Sequence, residues 1–325
     1  MRLCVGKEWS AQYYNANLHS AGTVISSAVD EARVIEEFGG YPPAKYGNVV
    51  SYRLKNAGNR ATKPIICRII KIEEVFFMCG IVGYAGEKQA AGILVDGLEK
   101  LEYRGYDSAG IAVFENGKIS VEKAKGRLSN LKEKLKNDGV PVGSVGIGHT
   151  RWATHGGVTD QNAHPHQQGK VTLVHNGIIE NYRELIADYD LQEILHSETD
   201  SEVAAALLNH YYKGDPKEAI KKTVSKLKGT FALVILFEDQ PDVIYSIRNV
   251  SPIVATICKE GAMLASDLTA LCRFTNEYFV VPEYHILELH KDHVVLTDLN
   301  DNVVEPEFLS VDWELNSAGK NGYPF

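Results

Sequence analysis

The sequence predicts an α+β fold in which two β-sheets lie between layers of helices. Three observations lead to this prediction. Regular apolar patterns begin at Cys79, two helices are predicted in the middle of the chain at residues 200–212 and 216–227, and the chain becomes rich in strands beyond Gly229. Helices in the middle with strands on both sides favour two sheets that are sandwiched between helix layers.

The composition is that of an ordinary globular protein. The chain has 325 residues, of which 44% are hydrophobic and 23% charged, so one large or two medium domains can form a core. No run of about 18 apolar residues predicts a membrane span. The net charge of −8 argues against nucleic acid as a partner. Five cysteines without a regular framework indicate a reducing compartment, and we expect a cytoplasmic protein.

Residues 1–77 differ from the rest of the chain. They hold ten Lys/Arg and seven Asp/Glu, a net charge of +3, so that the remainder carries −11. Their apolar residues follow no sustained helical or alternating period. Residues 65–70 are compatible with a strand, but no partner hairpin is evident nearby.

The segment Glu73–Phe77, just before Met78, suggests an explanation. Codons for Glu-Glu-Val can contain a bacterial ribosome-binding purine run, and two Phe codons supply a pyrimidine-rich spacer. We therefore expect residues 1–77 to be a translated leader and not part of the native protein. The alternative is a genuine N-terminal extension.

Cys79 has two interpretations. As the chain stands, it is a buried thiol at the start of a strand. If the native chain starts at Met78 and that methionine is trimmed, Cys79 carries both a thiol and a free α-amine.

The first half of the second region predicts alternating strands and helices. The Asn116-Gly117 pair is a strong hairpin signal, and the apolar face at 93–101 predicts an amphipathic helix. The predicted elements are a strand at 79–85, a helix at 89–103, a hairpin of 109–115 with 118–125, a helix at 128–137 and a strand at 143–151.

The second half adds a strand that ends at Asn176-Gly177 and a run of further strands. Thr199 and Glu202 form a capping-box pattern for the helix at 200–212. The remaining predicted elements are strands at 170–175, 231–237, 243–248, 253–259, 263–266, 278–281, 285–290 and 293–298, helices at 179–189 and 267–274, and a linker at 305–325.

The polar loop His149–Gly157 is the densest candidate for a functional site. Arg151 follows a strand, and a guanidinium can bind a carboxylate through two parallel hydrogen bonds. Trp152 beside it can cover a ligand. The alternative is a surface ion-pairing arginine and a core tryptophan, which the two glycines and the His/Thr pairs in the loop make less favourable.

Two further positions carry open alternatives. Asn176-Gly177 fits a type I′ turn, but the predicted helix after it weakens that interpretation, and a side-chain amide beside a bare backbone N–H can form an oxyanion hole. Asp200 at a helix start fits either a capping role or a site for a ligand ammonium group.

The remaining His and Cys residues carry weaker signals. His164 and His166 lack further ligands at metal-binding spacing, so we expect no metal site. Cys258 and Cys272 lie in apolar settings and are expected to be inert core thiols.

Five motifs in order resemble a known family. They resemble the glutaminase half of the glucosamine-6-phosphate synthases (glutamine–fructose-6-phosphate aminotransferases, isomerising), from Met78 to about Phe325. The Arg-Trp-Ala-Thr-His form favours this family over the phosphoribosyl-pyrophosphate amidotransferases. The motifs are Met-Cys-Gly-Ile-Val-Gly-Tyr at 78–84, Tyr-Arg-Gly-Tyr-Asp-Ser-Ala-Gly at 103–110, His-Thr-Arg-Trp-Ala-Thr-His-Gly at 149–156, Asn-Ala-His-Pro-His at 162–166 and His-Asn-Gly-Ile-Ile-Glu-Asn-Tyr at 175–182.

The resemblance implies a four-layer αββα sandwich of the N-terminal nucleophile hydrolase type, at residues 79–304. It implies that Cys79 attacks the side-chain amide of glutamine and that its own α-amine is the base. Asn176 and the N–H of Gly177 would stabilise the oxyanion. No cofactor or metal is implied.

The resemblance also assigns the groups that bind glutamine. Arg151 would hold the substrate α-carboxylate and Asp200 its α-ammonium group. Thr154 and His155 would line the site, and Trp152 would lie on a closing loop.

Two departures from the family follow. With residues 1–77 attached, Cys79 has an amide nitrogen, so we expect the 325-residue form to be nearly inactive. We also expect this polypeptide to lack the family's two sugar-isomerase domains, which bind fructose-6-phosphate and are expected to form a homodimer, after the linker at 305–325. We expect a fragment that at most hydrolyses glutamine. The alternatives are a glutaminase domain of another class II amidotransferase, or a catalytically silent binding module.

Overall fold

A computed structural model of the chain describes residues 79–104, 107–152 and 156–311, together with four short strands before residue 69. The chain divides into two units, Met1–Phe76 and Phe77–Phe325. The expectations for residues 105–106, 153–155 and 312–325 fall outside the described residues.

The first unit contains two antiparallel strand pairs. Strand β1 (Arg2–Val5) pairs with β2 (Glu8–Ala11), and β3 (Val49–Tyr52) pairs with β4 (Ile65–Arg68). A strand compatible with residues 65–70 is therefore present, and it pairs with a segment that is not its near neighbour in the sequence. Its partner lies farther upstream than a tight turn reaches, so the local pattern did not reveal it.

The second unit begins with the predicted strand–helix–hairpin order. Asn116 and Gly117 have φ angles of 51° and 80°, as a type I′ turn requires. The elements are β5 (Gly80–Gly86), α1 (Ala90–Leu101), β6 (Ser108–Glu115), β7 (Lys118–Lys125), α2 (Leu128–Asp138) and β8 (Val145–Arg151).

The middle of the unit holds the helices that precede the strand-rich part. These elements are β9 (His166–Gln168), β10 (Val171–Ile179), α3 (Tyr182–Asp188), α4 (Asp200–Tyr211) and α5 (Pro216–Val224). The strands that follow are β11 (Gly229–Phe237), β12 (Ile244–Asn249), β13 (Val254–Cys258), β14 (Gly261–Ala265), β15 (Glu277–Val280), β16 (His285–Leu289), β17 (Val294–Asp298) and β18 (Leu309–Ser310).

Several predicted boundaries are wrong. The helix expected from residue 179 begins at Tyr182, because β10 continues to Ile179. The helix expected at 267–274 is a short 3₁₀ turn at Leu268–Ala270. Within the expected linker, β18 pairs with β15, so the sheet extends past residue 305.

The strands form two antiparallel sheets. One has the order β17-β16-β12-β11-β10-β9, and the other has the order β18-β15-β13-β14-β5-β8-β6-β7. Helices α4 and α5 cover the outer face of the six-stranded sheet, and α1 and α2 cover that of the eight-stranded sheet. A third apolar cluster, which includes Ile81, Ile147 and Val174, packs between the two sheets.

Strand β11 shows why the four layers form. Phe231, Leu233 and Ile235 contact the helix layer, and the alternate residues Ala232 and Val234 contact the other sheet. Side chains alternate across a strand, so a continuously apolar strand buries both faces. The predicted αββα sandwich is therefore confirmed. In the part of the chain that the structure describes, no helix has the length and apolar character needed to cross a membrane.

Candidate active site

The strand register places Cys79 beside the start of the polar loop. Gly80 on β5 lies opposite Thr150 on β8, so Cys79 lies next to the point where β8 ends. The backbone N–H of Trp152 donates to Cys79 Sγ over 3.2 Å, and the thiol donates to Trp152 O over 3.6 Å. The thiol is thus fixed at the junction between a strand and a loop.

Burial controls the protonation state of this thiol. Loss of hydration raises the pKa of Cys79 to about 11, against the smaller lowering effect of the Trp152 N–H. The carboxylate of Asp107 raises it further, and the guanidinium of Arg151 lowers it. Cys79 is therefore a thiol and not a thiolate at neutral pH, and it needs a base to become a nucleophile.

Asn176 reaches Cys79 from the opposite sheet. It lies within β10, paired with Ala232, and its Nδ2 donates to the backbone oxygen of Cys79 over 2.8 Å. Its Oδ1 lies 3.0 Å from Nε2 of His149. The side-chain amide thus joins the two sheets at the thiol.

Gly177 is a strand residue and not part of a turn. It pairs with Phe231 at a φ of +134°, and a Cβ there would lie 2.1 Å from Thr230 O. Only glycine fits this backbone, so the strand continues through the Asn-Gly pair. The expectation that the pair ends the strand is wrong, because pairing with β11 outweighs its turn tendency.

Arg151 is the last residue of β8 and is buried with only 3% of its surface exposed. Its Nη1 donates to Gly157 O over 3.2 Å. The same oxygen accepts from Asn162 Nδ2, and the Glu198 carboxylate accepts from Gly157 N and Asn162 Nδ2, each over 3.1 Å. These donors lower the pKa of Glu198, with the Gly157 N–H contributing most.

Asp200 lies at the start of α4 and is also buried. Its Oδ2 accepts from Ile179 N over 2.7 Å, which joins the end of β10 to the start of the helix. Thr199 caps the helix by accepting from Glu202 N. The reciprocal half of the predicted capping box is absent among the described contacts of Glu202, whose carboxylate accepts from His196 N and Ser197 N.

One cavity brings the predicted residues together. Asn176 adjoins it through its bond to Cys79, and Thr154 and His155 fall outside the described residues. The residues that line the cavity are Cys79, Arg151, Trp152, His164, His175, Gly177, Thr199, Asp200 and Ser201.

Four of the lining residues were not predicted as site residues. The available signal for His175 is that it directly precedes the Asn-Gly pair. The sequence around His164 indicates only a metal ligand and that around Thr199 only a helix cap, and no sequence signal marks Ser201. In the described part of the chain, no three His, Cys, Asp or Glu side chains are grouped so that they could hold a metal ion.

The other described cysteines lie away from this cavity. The thiol of Cys258 donates to Gly261 O and that of Cys272 to Thr269 O, each over 3.1 Å. Burial raises the pKa of Cys258. That these thiols are inert stays a prediction.

Part of the chain matches a known family of protein domains. Residues 149–273 match the family model of a glutamine amidotransferase domain. This segment contains Arg151, Asn176, Gly177 and Asp200, and Cys79 precedes it.

Curated relatives cover a larger part of the chain. The chain is 46% identical over 250 residues to the glutamine–fructose-6-phosphate aminotransferase (isomerising) of Symbiobacterium thermophilum. It is 44% identical over 251 residues to the enzyme of the same name from Clostridium tetani. Each match covers 76% of this chain and 41% of the relative, so the chain spans about two fifths of the length of these relatives.

Solved structures agree with the fold. The glutamine phosphoribosylpyrophosphate amidotransferase of B. subtilis is similar, with a TM-score of 0.60 and 25% sequence identity. The similarity covers 69% of this chain and 50% of that one.

Proposed function

Because this chain carries a glutamine amidotransferase domain homologous to that of glutamine–fructose-6-phosphate aminotransferases, we propose that it hydrolyses L-glutamine to L-glutamate and ammonia. The observation that carries the proposal is the single cavity that joins Cys79, Arg151, Gly177 and Asp200. These residues span 122 positions of the sequence, yet they all line the same cavity. They bring to it a residue with a thiol, one with a guanidinium group, a glycine with its backbone amide and one with a carboxylate.

In the proposed reaction, Cys79 Sγ attacks the side-chain carbonyl carbon of glutamine and its proton moves to the α-amine of the same residue. The Nδ2 of Asn176 and the N–H of Gly177 donate to the oxyanion of the tetrahedral intermediate. The amine then returns the proton to the leaving nitrogen, so that ammonia and a glutamyl thioester result. Water attacks the thioester with the amine again as base, and glutamate leaves.

The same proposal assigns substrate recognition to two charged residues that line the cavity. The Arg151 guanidinium binds the α-carboxylate of glutamine, and the Asp200 carboxylate binds its α-ammonium group. We also propose that Trp152, Thr154 and His155 contact the bound glutamine. Burial of Arg151 and Asp200 supports this assignment, since charged groups in a dry site bind an opposite charge more strongly than they do in water.

The proposal requires a free amine at Cys79. A thiol whose pKa is raised to about 11 is almost wholly protonated at neutral pH, and an amide nitrogen cannot accept its proton. An α-amine with a pKa of about 8 can. We therefore propose that the active form begins at Cys79, after removal of Met78, and that residues 1–77 are a translated leader.

For the wider role, we propose what the names of the relatives and the motif resemblance imply. In the longer protein, the ammonia would aminate fructose-6-phosphate to glucosamine-6-phosphate, in a cytoplasmic homodimer formed by the sugar-isomerase domains. The proposed domain runs from residue 79 to 304, with a linker from 305. A second candidate is the glutaminase domain of another class II amidotransferase, which the similarity to the B. subtilis structure favours.

Glutamate release tests the proposal directly. Two chains are compared, one that starts at Met1 and one that starts at Met78, with intact mass used to establish the first residue of each. Residues 77–325 form a compact unit with its own core, so the shorter chain is expected to fold. We expect the form that begins at Cys79 to be at least about 100-fold faster, because a positioned general base contributes about 10²–10⁴-fold.

Two controls accompany this comparison. The shorter chain with Met78 retained is the matched control for the blocked amine, and Cys79→Ala is the control for the thiol. A diazo-ketone analogue of glutamine should label Cys79 in the active form. Equal glutamate release from the blocked and free forms would contradict the role of the amine, and no release from either form would contradict the function.

A further inference from the structure

His149 lies between the two sheets, one strand away from the candidate nucleophile. It is on β8, two residues after Ile147, which packs in the apolar layer between the sheets. Only 1% of its surface is exposed. Its Nε2 lies 3.0 Å from Asn176 Oδ1 and 3.1 Å from the backbone oxygen of His175.

The contacts of Asn176 define which way its amide group points. The backbone oxygen of Cys79 can only accept a hydrogen bond, so the atom 2.8 Å from it must be the NH₂ group. The atom that faces His149 is therefore the carbonyl oxygen. Because oxygen also only accepts here, Nε2 of His149 must carry a hydrogen.

A second acceptor supports the same tautomer. The backbone oxygen of His175 also faces Nε2, and both acceptors require an Nε2–H. Nδ1 of His149 has no hydrogen-bond partner within the described ranges, which agrees with a bare lone pair there. Burial lowers the pKa of His149 to about 3, so the ring is neutral throughout the working range of an enzyme.

The orientation of the amide matters for catalysis. With its NH₂ toward Cys79, Asn176 has a second N–H for the oxyanion that develops on the substrate carbonyl oxygen when Cys79 Sγ attacks. A rotation of the amide by 180° would place Oδ1 against the oxygen of Cys79, and it would offer an acceptor where the reaction needs a donor. In that rotated state the Nε2–H of His149 would face an NH₂ group.

We propose that His149 is a positioning residue that holds the amide of Asn176 with its NH₂ group toward Cys79, and thereby keeps the oxyanion donor in place. The proposal rests on the proposed glutaminase function. His149 acts through Asn176 and does not bind the substrate itself.

The competing explanation is that His149 only fills space. Its ring packs against that of His164 at a tilt of 30°, with centroids 4.1 Å apart, so its loss also removes packing. The two explanations differ in one respect. If His149 only packs, its substitution lowers kcat whether or not Asn176 is present. If His149 positions Asn176, its substitution has no further effect on kcat once Asn176 has been removed.

Steady-state kinetics of single and double variants test this difference in the active form. His149→Phe keeps a planar ring without a donor, and His149→Gln keeps a donor of similar reach. Ile147→Val, on the same strand and facing the same layer, is the matched control for packing. We expect His149→Phe to lower kcat about 10- to 100-fold with KM changed less than about twofold, which is the range for a residue that orients a functional group. We expect His149→Gln to recover most of kcat.

The double variant decides between the explanations. In an Asn176→Ala background, His149→Phe should cause no further loss of kcat. A loss of the same factor in both backgrounds would overturn the proposal, as would unchanged kcat in folded His149→Phe. Should His149→Phe not fold, a loss of more than about tenfold in folded His149→Gln would count against it.

A measurement on the 325-residue chain separates this inference from the proposed function. Nitrogen-15 NMR of the imidazole reports which ring nitrogen carries the proton. We expect neutral His149 with the proton on Nε2 at pH 7, and a shifted Asn176 side-chain amide signal in His149→Gln. A proton on Nδ1 overturns the inference even if glutaminase activity is present. Absence of activity with the expected tautomer would contradict the proposed function alone.

Discussion

The two sheets contribute to the candidate site in different ways. The six-stranded sheet and its helix layer place Asn176 and Gly177 within a paired strand and Asp200 at a capped helix start. The eight-stranded sheet places Arg151 at the last residue of a strand, with Trp152 beyond it, where the chain leaves for a loop. Asn176 and Gly177 are held within the backbone ladder of β10 and β11, whereas Arg151 and Trp152 lie where β8 ends and Arg151 bonds Gly157 of the loop that follows.

This difference suggests a division of roles. Donors that stabilise a transition state need fixed positions, and a strand interior provides them. Groups that bind and release a substrate can lie on a segment that adjusts. Variants of the strand-borne group should therefore lower kcat, and variants of the loop-proximal group should raise KM.

The largest expected effect is that of Asn176→Ala. It removes one oxyanion donor, so we expect kcat to fall about 10²–10³-fold with little change in KM. Steady-state glutamate release from the form that begins at Cys79 measures both constants. Asn181→Ala is a useful control, because Asn181 also bonds backbone groups, those of Lys226 and Lys228, but does not line the cavity. If Asn176→Ala raised KM and left kcat unchanged, the assignment of different roles to the two groups would be wrong.

Arg151→Lys is expected to have the next largest effect. The substitution keeps the charge but loses the planar fork that grips a carboxylate, which costs about 1.5–3 kcal/mol of binding. That corresponds to a KM about 10- to 100-fold higher, with kcat changed only a few-fold. Arg248→Lys, remote from the cavity, is the matched control. If kcat falls as strongly as KM rises, Arg151 does more than bind the substrate.

The pH dependence of the free energy of unfolding tests whether the buried histidines near the interface of the two sheets are neutral. Burial lowers the pKa of His149, His164 and His166. The unfolded chain therefore takes up protons near pH 6.5 while the folded protein stays neutral at these rings, so their contribution is fully present above pH 6.5 and is lost as pH falls.

Below pH 6.5, each of these histidines should reduce the free energy of unfolding by about 1.4 kcal/mol for every unit by which the pH falls, until the pKa of that histidine in the folded protein is reached. Chemical denaturation of the 325-residue chain between about pH 4.5 and 7.5 measures the slope. His164→Phe should reduce the slope by about 1.4 kcal/mol per pH unit, since it removes one ring that takes up a proton only on unfolding. An unchanged slope would show that this ring is already protonated in the folded protein.

Local signals predicted part of this molecule correctly. The Asn116-Gly117 hairpin depends on two residues that tolerate positive φ, and the structure has both there. Thr199 caps its helix because its hydroxyl reaches the N–H of a residue three positions along. Such features depend on neighbours in sequence, so they can be predicted without knowledge of the fold.

The errors occurred where distant strands compete with local tendencies. Asn176-Gly177 has the composition of a turn, but it extends a strand because β11 pairs along its whole length. The partner of β4 and the pairing of β18 with β15 also depend on segments far apart in the chain. Hydrogen bonds to a distant segment stabilise such pairing, and no local sequence pattern indicates them.

By itself, the sequence determined the helix and strand types over most of residues 79–298 and the chemical groups available to the site, because both depend on side-chain chemistry and short-range geometry. Only the tertiary structure decided that the amide of Asn176 meets Cys79 from the opposite sheet and that His149 contacts its carbonyl oxygen. The physical reason is that these contacts cross the apolar layer between two sheets, whose packing depends on the whole chain.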